Sequence, residues 1–230
     1  MSVIKITIFA LSISCMMNHV AFSLFFFSRS EPKRNITIMI NPAGDAQHTG
    51  RRLDDSFERA ITLQIAESLK KKIEEEHTNV QVVLTRSPGE SGAYLQYAGF
   101  ANRLDVDFYV SINCYADKET KPSLSLYQFS YGNDFATKQF DLSLIPYDQA
   151  HVANITKSNE FGSLMYNILG ANEYASSFTV KGIYKIPFKP LIGIKAPSIA
   201  LEIGLKKIDQ WHDYISPLNA SLAPIIEKLS

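Results

Sequence analysis

Two acidic side chains stand where acid–base or metal chemistry could be done. Glu202 lies within Ile199-Ala200-Leu201-Glu202-Ile203-Gly204, and a carboxylate in so apolar a strand is costly to bury unless a partner or a cleft receives it. That makes Glu202 a candidate site residue, the alternative being a satisfied structural carboxylate. Glu58 opens a long helical pattern and, taken alone, reads as an ordinary helix-surface glutamate. Upstream, Asn41-Pro42-Ala43-Gly44-Asp45 has turn composition, and loops leaving a core strand often carry active-site groups. Neutral imidazole suits zinc, but no His-x-x-x-His or similar close pair occurs. His19, His77, His151 and His212 therefore read as surface or packing residues, and only His48 falls near the loop after the first strand. Cys114 reads as a small buried hydrophobe. No phosphate-cradling loop, dinucleotide-binding turn or serine elbow is present, so nucleotide binding and serine-hydrolase chemistry lack motif support.

The elements that must position these groups alternate between strand and helix. Ile36 to Ile40 is a β-branched run suited to a buried strand. From Asp55 to His77, Phe57, Ile61, Ile65, Leu69 and Ile73 recur every four residues and mark one face of an amphipathic helix. Lys70-Lys71-Lys72 and Glu74-Glu75-Glu76 fall at helical pairing distance on its solvent face. Val80 to Thr85 reads as a second strand, Tyr94 to Leu104 as a helix, Asp107 to Asn113 as the third strand and Ser123 to Phe129 as the fourth. A helix over 159–169, a loop around Lys181-Gly182, a strand over Ser198–Ile203 and a closing helix over 217–229 complete the pattern, while 130–150 shows no clear period. The alternation predicts an α/β fold, a mostly parallel twisted sheet flanked by helices, as a single domain over 36–230.

The chain has 230 residues, with 23 basic and 23 acidic side chains and no net charge. It carries no basic stripe, which argues against nucleic acid as a partner. With 46% hydrophobic and 20% charged residues, the composition is that of a globular domain. Residues 6–28 are almost wholly apolar, with Lys5 before them and Arg29, Lys33 and Arg34 after. Residues 1–28 are expected to be a signal peptide or a membrane anchor, and 29–35 a linker. Either reading exports the domain to the periplasm or cell envelope, with a possible membrane anchor at the amino terminus.

Taken in order, these segments resemble the zinc-dependent N-acetylmuramoyl-L-alanine amidases, which cut between muramic acid and the peptide stem of peptidoglycan. Ile36 to Gly50 is similar to the family's first strand and its Asp-Pro-Gly-His-Gly-Gly loop, and Phe57-Glu58-Arg59 to its Glu-Lys-Asp helix start. Val83-Leu84-Thr85-Arg86 is similar to the end of its second strand. Ala101-Asn102-Arg103 with Asp107 to Asn113 resembles its Ala-Asp-Leu-Phe-Val-Ser-Ile-His segment, and Ala196 to Gly204 its closing Pro-Ala-x-Leu-Val-Glu-x-Gly. The resemblance implies Glu58 as a zinc ligand and Glu202 as the catalytic base. It puts Gly44 and Asn113 at the two positions where the family has ligand histidines. A catalytic zinc normally has three protein ligands. The first expectation is therefore an amidase-like domain without zinc that binds peptidoglycan or an envelope protein. The alternative is an active amidase whose Zn2+ is recruited by His48 and Asp45 together with Glu58. A third reading is a different hydrolase or a structural protein on the same fold.

Overall fold

The computed structural model describes residues 34–130 and 147–230. The β-branched run forms β1 (Ile36–Pro42). A two-strand hairpin follows, β2 (Arg52–Leu53) and β3 (Ser56–Phe57), then helix α1 (Glu58–Glu76), β4 (Val80–Leu84), α2 (Tyr94–Arg103), β5 (Phe108–Ala116) and β6 (Ser123–Phe129). After a 3-10 turn at Tyr147–Val152 come α3 (Ile155–Leu169), β7 (Thr179–Ile186), β8 (Ser198–Leu205) and α4 (Ile215–Leu229). The expected signal or anchor over 1–28, most of the linker and the greater part of 130–150 lie outside the described residues. Among the described residues no helix is long and apolar enough to cross a membrane.

The six main strands form one sheet in the order β4-β1-β5-β8-β6-β7. The first four are mutually parallel, β6 runs antiparallel to β8, and β7 lies parallel to β6. The sheet is thus mostly parallel, as the pattern of elements predicts, with one reversal at the β8–β6 seam.

Alternation along the strands divides two cores. Ile36, Ile38 and Ile40, with Phe108, Val110, Ile112 and Cys114, face α1, α3 and α4 in the larger cluster. Met39, Tyr109 and Ala200 face the other way, toward α2 and the 191–196 segment. Because successive side chains on a strand point to opposite faces, Asn113 and Glu202 share the face of Tyr109 and Ala200. They are also register partners across β5 and β8.

The helix stripe buries Ile61, Ile65, Leu69 and Ile73, but its first expected member departs from the pattern. Phe57 is 41% exposed and belongs to β3, because the chain turns through a hairpin at Asp54 (φ +50) and enters the helix only at Glu58. The three Lys–Glu pairs form on the solvent face as spaced. The loop expected around Lys181-Gly182 is instead the edge strand β7. Its largely exposed side chains carry no alternating apolar signal, and Gly182 sits opposite a register shift at Leu124/Ser125, the use to which strands put glycine.

Arg34 ties the entry to the domain. Its guanidinium pairs with Asp107 ahead of β5 and donates to the Leu229 carbonyl, while its own carbonyl accepts from Asn79. At the other end of the sheet, Arg86 fastens the loop after β1 to α1. Its guanidinium is buried and donates to the carbonyls of Pro42 (3.2 Å), Ala43 (3.4 Å) and Arg59 (2.8 Å), and burial lowers its proton affinity. Arg86→Met keeps the aliphatic stem but strands these carbonyls, so we expect a loss of about 2 kcal/mol in urea-unfolding free energy. An unchanged midpoint would show that the loop is held by other contacts.

Candidate functional site

The loop after β1 leaves the carboxyl end of the sheet, where sites of open α/β sheets form. It is anchored from below by a buried relay in which Thr85 Oγ1 donates to Asn41 Oδ1 (2.8 Å) and Asn41 Nδ2 donates to Ser111 Oγ (3.1 Å). The first turn of α1 holds it from the side. Thr62 Oγ1 donates to the Ala43 carbonyl, and the Arg59 amide donates to the Thr49 carbonyl. Between this loop and α2 opens a cleft of 560 Å3, whose walls include Asp45, His48, Arg51, Glu58, Asn113 and Tyr94. That size suits a small ligand or one unit of a polymer.

Glu58 is 6% exposed, which corrects its reading as a helix-surface residue. Its Oε2 accepts the Arg51 backbone amide at 3.0 Å, and its Oε1 accepts the Cys114 amide at 2.9 Å. A carboxylate at the first position of a helix is also favoured by the macrodipole. Glu202 is paired, as an acidic residue in an apolar strand must be. Arg51 Nη1 lies 2.7 Å from its Oε1, and Tyr127 Oη donates to its Oε2 at 2.7 Å. Burial works against the charge of Arg51, yet the hydrogen bond and charge of Glu202, then the charge of Glu58, hold its guanidinium above its ordinary value. Burial together with the bond to Glu202 pushes Tyr127 up to about 12, so it stays a donor at neutral pH. Tyr127 stacks on Phe188 at 4.8 Å.

The remaining candidates are engaged differently. Gly44 has φ +74, and a Cβ there would meet Arg59 Cβ at 2.8 Å. Asn113 turns its amide to the Leu201 carbonyl at 3.2 Å. His48 has a side chain 80% exposed, with Nδ1 3.3 Å from Asp45 Oδ1. It shares the cleft with Asp45 and Glu58, but among the described residues no group of three or more His, Cys, Asp or Glu is placed to hold a metal ion. His151 is buried and packs on Phe129. Cys114 faces the large core, where burial pushes its thiol up. The sequence reading missed Arg51 and Tyr127. Tyr127 carried a signal, since it shares the strand parity of Phe129, but nothing in the spacing marked Arg51.

The profile of the N-acetylmuramoyl-L-alanine amidase family matches residues 38–214. No curated protein sequence matches the chain. Among solved structures, an N-acetylmuramoyl-L-alanine amidase from Clostridium difficile 630 superposes with a TM-score of 0.65 at 17% identity, covering 86% of this chain and 100% of that one. The catalytic domain of CwlV, an N-acetylmuramoyl-L-alanine amidase from Bacillus (Paenibacillus) polymyxa, gives 0.63 at 16% identity, covering 84% and 98%. The CwlD amidase of Clostridioides difficile, in a structure with the GerS lipoprotein, gives 0.57 at 15% identity, covering 84% and 100%. At these identities the superpositions establish a shared fold.

Two substitutions test the loop geometry. Gly50 has φ +74, and a Cβ there would sit 2.7 Å from Glu58 Oε2, so Gly50→Ala should cost about 1–3 kcal/mol in denaturant unfolding; a neutral effect would mean that the loop need not approach Glu58. Asp45 Oδ1 accepts the amides of Gln47 and His48. Burial opposes its charge, but these bonds outweigh it and hold the carboxyl below 3.8. A depressed carboxyl stabilises the fold above its unfolded value and loses that contribution as pH falls through the folded one. Asp45→Asn should therefore cost about 1 kcal/mol at pH 7, and the difference from the parent should shrink as the pH is taken below 3.8. A pH-independent difference would contradict the assignment.

Proposed function

Because the chain belongs to the N-acetylmuramoyl-L-alanine amidase family, we propose that it is an exported envelope protein using this fold to bind peptidoglycan or an envelope partner, with a degenerate zinc site. The observation that carries the reading is the donor set at the family's ligand positions. The resemblance asks for histidines at 44 and 113. Position 44 has no side chain and no room for a Cβ, and the Asn113 amide is spent on a backbone carbonyl. Glu58 alone remains, and its two oxygens are engaged by backbone amides. A zinc ion that activates water is normally held by three protein ligands and keeps an open fourth position, and these residues do not fit that requirement.

The family and the open cleft beside Glu58 support glycan-peptide as the ligand. The CwlD neighbour, solved with a lipoprotein, supports an envelope protein as the other partner class. The apolar, cation-flanked run over 6–28 supports export. On this reading Glu202, the family's catalytic base, acts as a binding or structural group, and His48 is a cleft-wall residue.

Elemental analysis and sacculus sedimentation of the untagged full chain, held in mild detergent, test the proposal together. We expect near-zero zinc per chain after dialysis against trace zinc, with protein sedimenting with intact sacculi and no release of stem peptide. About one ion per chain, lost in Glu58→Ala or His48→Ala and accompanied by free muramoyl ends, would instead establish an active amidase with a rearranged site.

A further inference from the structure

Glu58 and Glu202 come from distant parts of the chain, and both hold a contact to Arg51. We infer that the Arg51 guanidinium is the resident cation of this site: it neutralises Glu202 while its own backbone amide fixes Glu58, so the two carboxylates are held in place without a metal ion. This deepens the reading above by naming what takes the metal's structural place.

The coordination of the two carboxylates carries the inference. Each of the four oxygens has a protein donor: the Cys114 and Arg51 amides on Glu58, and Arg51 Nη1 and Tyr127 Oη on Glu202. A divalent cation bound here would have to share these oxygens with their donors and lie close to the positive charge that already sits 2.7 Å from Glu202 Oε1, and like charges brought together in a partly buried site repel. The loop is shaped to deliver Arg51. Gly50 removes the Cβ that would strike Glu58, and the guanidinium comes to rest 5.8 Å from the centre of the Tyr115 ring, on its face, a placement that favours a cation. Guanidinium suits the role because it stays charged and offers several donors in one plane. Unlike a metal ion it has no coordination position in which to ionise a water, so it reproduces the electrostatics of the centre and not its hydrolytic chemistry.

A double-mutant cycle of Arg51→Gln and Glu202→Gln in the full chain, read by denaturant unfolding in EDTA and again in zinc chloride, tests this. We expect each single change to lower the folding equilibrium constant, and the double variant to fall short of the product by about threefold or more. The parent midpoint should be the same in EDTA and in zinc. Multiplicative single effects would overturn the inference, as would a parent midpoint raised by zinc, the mark of an ion bound to the native state. Should either variant fail to fold, equilibrium dialysis of the unmodified chain against zinc chloride decides: no saturable binding supports Arg51 as the cation, and stoichiometric binding overturns it. Multiplicative effects without zinc binding would remove this inference and spare the binding proposal. Loss of sacculus binding with the coupling intact would do the reverse.

Discussion

The site is organised by the contact between Arg51 and the two glutamates, because it joins parts of the chain that are otherwise remote. Glu58 begins α1 and Glu202 ends up in the middle of β8; the residue between them belongs to a loop with no regular structure of its own. For that contact to exist, Gly50 must adopt a left-handed conformation, the β5–β8 register must set Asn113 beside Glu202, and the antiparallel β6 must bring Tyr127 within reach of Glu202. Charge pairing in a partly buried place is strong only when both partners are held by their surroundings. Here the surroundings are two layers of core and a loop bolted down by Arg86 and Thr62.

Much of the architecture was legible in the sequence because it rests on periodicity. The four-residue stripe from Ile61 to Ile73, the β-branched run of β1 and the apolar run around Glu202 each name an element and a buried face. The departures have physical causes. Phe57 fits the helical period by coincidence of spacing, yet the Asp54 turn commits it to a hairpin. The strand β7 has one neighbour and a wet outer side, so no apolar alternation was selected into Thr179–Ile186. The site was less legible. Glu202 was marked by the cost of burying it, whereas Glu58 was marked only by resemblance, since its two partners are backbone amides and backbone amides leave no trace in side-chain pattern. Arg51 depends on a loop conformation that residue spacing does not encode.

On the proposed reading, shared fold and shared chemistry separate in this protein. The sheet order, the helix that carries Glu58 and the strand that carries Glu202 accord with membership of the amidase family, and the superposed structures reach nearly their full length. The parts that differ on that reading, Gly44 and Asn113, are single side chains at strand and loop ends. Such positions contribute little to the core, so they can change without disturbing the scaffold that presents them.

The clamp at Arg34 gives the domain a particular mechanical character. The chain enters β1 directly behind a residue tied to Asp107, to the end of α4 and to Asn79, and β1 is flanked on both sides by parallel strands. A tensile force arriving from the amino-terminal side would first load that clamp and then pull β1 lengthwise against two ladders at once, a shearing geometry in which many hydrogen bonds resist together. A tether at that end would therefore load the domain along β1, from the end of the strand opposite the cleft.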